Sequence, residues 1–371
     1  MNDFIEKVGT KKLIIASCVF IGLIVLIICG SLIYNKFFYR KTYSEIEDIM
    51  VSATKEYYGK HKSKLPNEAG EVKTIKVSEL VSSEYMKQLS EYIKNDEIFC
   101  KGSVNVTKVN KKYRYTPILD CGNDYSTVLL SDYIEKNNKV VTSNEGLYSM
   151  NNELIYRGEN VKNYVSFAGY EWRIVKITDG KVVLIFNEKI KETETTYWDD
   201  RYNNDKKDNV GINDYSVSRA REYLNSLYNS NSLFSNNDKL LLSNFNLYVG
   251  RRNDNDTDKS GLLEKATIIE NQYIGLLPAY DFMNASLDNN CTSTASLSCS
   301  NYNYLNTYDW NWWTMTGDSN SSYKVYRGSN YDSIYLSNTN SNAYFRPVIH
   351  LVKDAVYVSG NGSKSKPYKF K

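Results

Sequence analysis

The chain is poor in histidine, proline and catalytic motifs. Only two histidines, His61 and His350, occur in 371 residues. A Ser/His/Asp or Cys/His triad needs an available imidazole. His61 stands in "GKHKSK", a solvated turn, and His350 in "RPVIHL", an alternating strand, where it reads as a structural or half-buried residue. There is no HExxH, GxSxG or P-loop. Acidic pairs such as Asp199 and Asp200 could serve a glycosidase only at a carboxylate separation that sequence does not fix. The net charge is +3 with no long Lys/Arg run, which excludes a nucleic-acid footprint. No fixed-period repeat or heptad array is present. Proline numbers five and phenylalanine 12, against 33 tyrosines. Tyrosine joins a large apolar face to a polar tip, so the balance suits solvated sheets and binding surfaces.

The clearest positive feature is an apolar run. Residues 13–34, "LIIASCVFIGLIVLIICGSLIY", carry no charge over 22 residues. At about 1.5 Å per residue, such a helix spans the hydrocarbon core of a bilayer. Lys11 and Lys12 flank one end, and Lys36, Arg40 and Lys41 the other, a near tie by the positive-inside rule. The short N-terminal tail and the cysteines favour the tail inside and the bulk outside. The run exceeds a usual signal-peptide core, and no A-x-A site follows it. Lipoprotein processing at Cys29 would want a small residue where Ile28 stands. The run is therefore predicted to be an uncleaved, single-pass anchor. Partners implied are the membrane, through 13–34, and extracellular ligands.

Cys18 and Cys29 fall inside the run as small apolar residues. Cys100, Cys121, Cys291 and Cys299 form two locally spaced pairs. An oxidising exterior makes these the disulfides Cys100–Cys121 and Cys291–Cys299. Without CxxC spacing, and with two histidines, they do not form a zinc set.

After the run, Tyr43, Ile46, Met50, Ala53 and Tyr57 recur in steps of three and four, one face of an amphipathic helix that Gly59 can end. "VSELVSSEYMKQLSEYIKN" predicts a second helix. Val104, Val106, Tyr113 and Tyr115 alternate on both sides of a polar break, a hairpin whose ends Cys100 and Cys121 would staple. "EKNNKVVTSNEG" reads as a linker. Beyond it, "YVSFAGYEWRIVKITDGKVVLIFNE" predicts a strand and a hairpin turning at Asp179-Gly180. "DYSVSRAREYLNSLY" predicts a helix capped by Ser216 or Ser218. "YIGLLPAYDFMNAS" predicts a buried strand running into a short helix.

The apolar helix, its amphipathic continuation, "LPNEAGE", a short helix and the Cys-closed hairpin resemble the pilin-like or pseudopilin-like modules of Gram-positive surface proteins, over residues 13–130. A prepilin carries a Gly processing site directly before its apolar run and a Glu five residues inside. Here Gly9 is followed by "TKKLIIAS", which argues against polymerisation. A second set of fragments, "NYVSFAGYEWRIV", "NDYSVSRAREYLN", "IGLLPAYDFMNAS", "WWTMTGD", "YFRPVIHL" and "SGNGSKSKPYKF", resembles a family of bacterial surface domains of unassigned activity. That family belongs to the C-type-lectin-like group, near formylglycine-generating enzymes, and the likeness covers residues 154–371. It implies an α+β fold. The enzymes of that group use a cysteine or a copper-binding cysteine pair. Cys291 and Cys299, eight residues apart in "NNCTSTASLSCS", read instead as a stapled loop, which argues against that activity here.

Two further stretches carry candidate chemistry. "NDNDTDKSG" offers Asp256, Asp258 and Ser260 at the first three ligand positions of a calcium loop, with Gly261 at the turn, but Thr267 stands where a bidentate Glu belongs. The alternative is a solvated acidic loop. "WNWWTMTGDS" places three tryptophans in four positions, with at least one expected in a core strand. Around it, Trp312, Trp313, Tyr323, Tyr326, Tyr331 and Tyr335 lie among Ser, Asn, Asp and Gly, the composition of a recognition surface. Aromatic faces flanked by Asn and Asp also suit sugar rings. A solvated sheet in a Tyr-rich protein is the competing reading.

The expectation is an α+β protein: a cytoplasmic tail (1–12), a transmembrane helix (13–34), a pilin-like stalk module (35–148) and a C-type-lectin-like domain (149–371). Its expected function is non-catalytic extracellular binding or adhesion, toward a glycan or a protein. A structural component of a pseudopilus-like or envelope assembly is the alternative, and no cofactor beyond the calcium candidate is implied.

Overall fold

The computed structural model describes residues 15, 18–30, 40–93, 97–109, 111–190, 196–307, 309–329 and 333–371. The fold is mixed α and β, and the chain separates into two compact units. One is Met1–Lys64, Thr74–Val104 and Pro117–Ser126; the larger is Leu65–Lys73, Asn105–Thr116 and Thr127–Lys371. Residues 18–30 are helical, and of the rest of the expected anchor only Ile15 is described. Among the described residues no helix is long and apolar enough to cross a membrane.

In the smaller unit the amphipathic stretch forms the helix Tyr43–Lys60. The Thr42 hydroxyl accepts from the Glu45 N–H, and the Glu45 carboxylate accepts from the Thr42 N–H at 2.8 Å. This capping box satisfies donors that the first helical turn leaves orphaned. Ile46, Met50, Ala53 and Tyr57 are buried, as their spacing predicts. Glu47 is buried with them, and its carboxylate accepts from the Tyr125 hydroxyl at 2.7 Å. The next stretch forms two short helices, Val77–Ser82 and Leu89–Ile93, not one. Glu84 lies between them with φ of 62°, a left-handed conformation that a helix cannot continue through.

Strands β1 (Val72–Lys76), β2 (Lys101–Val109) and β3 (Lys112–Asp120) form a sheet in that order. Val104, Val106 and Leu119 are buried, and Cys100 is bonded to Cys121 across the hairpin ends.

The larger unit takes in residues 127–148, which the sequence reading assigns to the stalk. The reason is packing: in the helix Leu130–Asn137, the Leu130 N–H donates to the Ala355 carbonyl, and the Tyr133 ring stacks on Tyr357 at 3.5 Å. The strands of this unit are β4 (Gly146–Met150), β5 (Glu153–Arg157), β6 (Tyr164–Phe167), β7 (Tyr170–Thr178), β8 (Lys181–Phe186), β9 (Leu242–Ser243) and β10 (Phe245–Tyr248). There follow β11 (Ile268–Gln272), β12 (Trp312–Gly317), β13 (Lys324–Gly328), β14 (Ile334–Asn338), β15 (Tyr344–Phe345), β16 (Val348–Leu351), β17 (Tyr357–Ser359) and β18 (Lys369–Phe370). The main sheet runs β4-β5-β7-β8-β16-β9, with β6 also paired to β7. A second sheet runs β14-β13-β12-β15, and β10 pairs with β11 as a separate ribbon.

Both Trp312 and Trp313 are fully buried in β12, which has a neighbour on each side. The Trp313 indole N–H donates to the Thr196 carbonyl at 2.9 Å. Gly328 faces Trp312 across β12 and β13, and a Cβ there would run into the indole ring. The helix Arg219–Asn229 begins at Ser218, whose hydroxyl accepts from the Arg221 N–H. It buries Ala220, Leu224 and Leu227. Cys291 is bonded to Cys299. Two disulfides are what proteins of oxidising compartments carry.

Candidate functional site

One strand irregularity in the main sheet creates the site. On β7 and β8, Ile174 pairs with Leu184, but Lys176 pairs with Val183. The strand β7 therefore holds one extra residue, a β-bulge, and side chains after it change face. Lys176 leaves the face of Ile174 and joins the face of Val183. Across the next pairing Val183 stands opposite His350, and on the other side Lys176 stands opposite Ile155, two residues from Glu153. Register alone thus puts Glu153, Lys176, Val183 and His350 on one face of the sheet.

The helix Ala279–Ala285 covers the floor of this face and contributes Tyr280 and Asp281. The β10 strand supplies a wall, where the Phe245 ring stacks on the His350 imidazole at 3.9 Å. The result is a cavity of about 310 Å3, also lined by Leu276, Met315 and Val348. Its exposed rim is formed by Asp179, Asn246 and Asn271.

Lys176 is 5% exposed. Its ammonium donates to Glu153 Oε2 at 3.2 Å, to the Tyr280 hydroxyl at 3.1 Å and to Asp281 Oδ1 at 3.1 Å. These three acceptors match the three protons of an ammonium. Burial acts to lower the lysine, but the carboxylates of Asp281 and Glu153, with the hydrogen-bonded Tyr280 hydroxyl, outweigh it and hold the ammonium well above its ordinary value. Burial pushes the Tyr280 phenol up, so it is a neutral donor. Among the described residues nothing accepts the Tyr280 proton, and the second oxygens of Glu153 and Asp281 have no partner. Burial, aided by the charges of Lys176 and Lys181, pushes the His350 imidazole well below its ordinary value. Its ring nitrogens have no hydrogen-bond partner among the described residues, so a neutral imidazole lines the cavity with one donor and one acceptor.

The sign of the resulting pH dependence is fixed. A histidine whose folded value is lowered leaves stability intact above its unfolded value of about 6.5 and loses it as pH falls below that. Thermal melts of the wild type should drop on acidification from there, and His350→Gln should flatten that part of the slope. An unchanged slope in the variant would mean that His350 is free to protonate in the folded chain.

The sequence-predicted site residues are placed differently. Trp312, Trp313 and Tyr326 are fully buried, so none offers a face to a ligand; β12 and β13 are inner strands, each flanked on both sides. Tyr323 and Tyr335 are half-buried at the surface. Lys206 lies over the Tyr323 ring, and Arg327 donates to the Tyr335 hydroxyl. Tyr331 lies outside the described residues. At the calcium candidate Asp256, Asp258 and Ser260, the backbone is tied down by Arg252. Its guanidinium, ion-paired to Glu264 at 3.1 Å, donates to the backbone carbonyls of Asp256 at 2.7 Å and Asp258 at 3.0 Å. The Asp258 carboxylate accepts from the Ser260 N–H and hydroxyl. Among the described residues no group of three or more His, Cys, Asp or Glu is placed to hold a metal ion.

Glu153, Lys176, Tyr280 and Asp281 were not singled out from sequence. Their signal was present: "WRIVKIT" carries a lysine inside an apolar run, and "LLPAYDFM" an aspartate inside another. A buried charge of each sign calls for a partner. Comparison with protein-family models, with curated proteins and with solved structures finds no match.

Proposed function

We propose that the chain is a membrane-anchored extracellular binding protein, without catalysis, whose ligand site is the cavity floored by Lys176, Tyr280 and Asp281. The observation that carries this reading is the set of unspent polar groups aimed into one cavity: the Tyr280 proton, the His350 nitrogens and the free oxygens of Glu153 and Asp281. A concave site with a few convergent polar groups is where ligands bind. Anchoring is supported by the apolar side chains described between Ile15 and Ile28, which are 41–69% exposed. Apolar side chains this exposed, within the uncharged run 13–34, suit a bilayer. The disulfides support an exterior location. The pilin-like and C-type-lectin-like likenesses favour an anchor-proximal unit followed by a ligand-binding unit.

The test has two arms. Protease applied to intact cells should remove residues 149–371, and survival of that region until lysis would invert the topology. A screen of glycans and small polar compounds against the full chain in lipid nanodiscs should return saturable ligands. Turnover of any of them would replace binding with catalysis.

A further inference from the structure

We propose that the smaller unit carries a lipid site: a groove in which Phe99 and its apolar neighbours take up an acyl chain of the bilayer. The inference rests on the anchored reading and is independent of the cavity in the larger unit.

The groove, of about 730 Å3, lies wholly within the smaller unit. Val77 and Val81 of the helix Val77–Ser82, Leu89 of the helix Leu89–Ile93, Ile98, Phe99, and Ile118 of β3 supply its apolar lining. Phe99 is 78% exposed, and no other large apolar side chain among the described residues is as exposed. It adjoins Cys100, whose bond to Cys121 fixes the hairpin end, so the ring stands in water on a stapled segment. An exposed phenylalanine in an apolar groove marks an interaction site.

The course of the chain says what covers it. The uncharged run ends at Tyr34. Lys41, seven residues on, is already fixed in the smaller unit, where its N–H donates to the Tyr92 carbonyl at 3.1 Å. Tyr92 shares a short helix with Leu89 and lies within one turn of it. Seven extended residues reach at most about 25 Å, so this wall of the groove is tethered that close to the end of the run. Lys36 and Arg40 stand in the connection, and such side chains snorkel to the headgroups at the end of a spanning helix. A bilayer that holds the run is therefore within reach of the groove, and hydrocarbon is what an exposed apolar lining gains most from meeting.

Other occupants fit less well. A peptide that adds a strand needs a free strand edge, but the strand along the groove is β2, the inner strand of its sheet. The charged lining residues are Lys76, Lys101 and Asp120, and Glu97 precedes Ile98. With both signs present, the groove selects neither an acidic nor a basic segment, and an acyl chain needs no charge.

The test uses the full chain in nanodiscs of phosphatidylcholine, alone or with phosphatidylglycerol. Each disc contains a small fraction of phosphatidylcholine with a photoactivatable diazirine on its acyl chain, and irradiation is followed by peptide mapping. Adducts are expected in the run 13–34 and in the groove segments 77–82 and 89–99, in both lipid mixtures. Phe99→Ser should cut the groove adducts at least about tenfold, since the transfer of a phenylalanine side chain is lost, and leave those of 13–34 unchanged. Phe99 stands outside the core, so the variant should melt as the wild type does. Ser78→Trp, which fills the groove from an exposed position, should cut the groove adducts likewise. Adducts in 13–34 with none in the groove overturn the lipid site and leave the anchor standing. Groove adducts with none in 13–34 keep the lipid site and overturn the anchor. Groove adducts that both variants leave unchanged reflect passing contact with a nearby bilayer and overturn the lipid site. In discs carrying two chains, a groove free of lipid adducts with chain-to-chain cross-links through Lys76 or Lys101 would assign the groove to a second copy and overturn the proposal.

Discussion

Lys176→Met should destabilise the larger unit by about 3–5 kcal/mol, the range for removing one partner of a buried ion pair. The cost comes from what is left behind. Glu153 and Asp281 would face each other across the cavity floor without the ammonium that both now share at 3.2 and 3.1 Å. Methionine matches the length of lysine, so lost packing contributes little. Adding Asp281→Leu to the variant should recover part of the loss, because apolar replacement of a whole buried pair is often neutral. The pH dependence has a definite sign. The folded value of Lys176 is raised, so its stabilisation is complete below the unfolded value of about 10.4 and is lost as pH rises through the folded one. The wild type should therefore lose stability at strongly alkaline pH by a step that Lys176→Met lacks. Chemical denaturation across pH measures both. A variant as stable as the wild type would show that Lys176 is solvated and that the floor is not a closed cluster.

Trp312→Ala is the second large effect, expected to cost about 3–5 kcal/mol as a large-to-small change in a packed core. The indole is wholly buried in β12, and Gly328 is bare opposite it because no Cβ fits. Gly328→Ala should itself cost about 1–3 kcal/mol by overpacking. In the Trp312→Ala background the same change should be nearly free, a coupling that a double-mutant cycle reads directly. If the two changes are simply additive, the ring and the glycine do not share the contact assigned to them. Tyr335→Ala, at the half-exposed edge, should perturb stability far less than Trp312→Ala.

These contrasts show where sequence is legible. The helix Tyr43–Lys60 announces itself because its buried residues repeat with the helical period and its cap needs only Thr42 and Glu45. The two disulfides follow from local spacing. The Trp pair reads as core because indole rings are costly to leave in water. Tyr326 misleads because tyrosine is ambiguous alone: its burial is decided by β12 and β14 on either side, which are contacts made by pairing and not by composition. The acidic loop 253–261 is also shaped by a residue its own pattern does not contain. Its backbone carbonyls at Asp256 and Asp258 accept from Arg252, a residue that precedes the ligand pattern. Lys176 was hidden most deeply. Strict alternation puts it on the same face as Trp172 and Ile174, and only the bulge between Ile174 and Lys176 turns it toward Asp281. A bulge has no reliable signature in a single sequence, so the buried charges in "WRIVKIT" and "LLPAYDFM" are legible but the face on which they meet is not.

The most direct measurement of the central claim is a crystal structure of the protein with a ligand recovered from the binding screen. The account predicts ligand density inside the cavity, with a ligand donor within hydrogen-bonding distance of Glu153 or Asp281 and an acceptor facing the Tyr280 hydroxyl or His350. Density seated instead on the Tyr323 and Tyr335 surface, with the cavity holding only water, would contradict it.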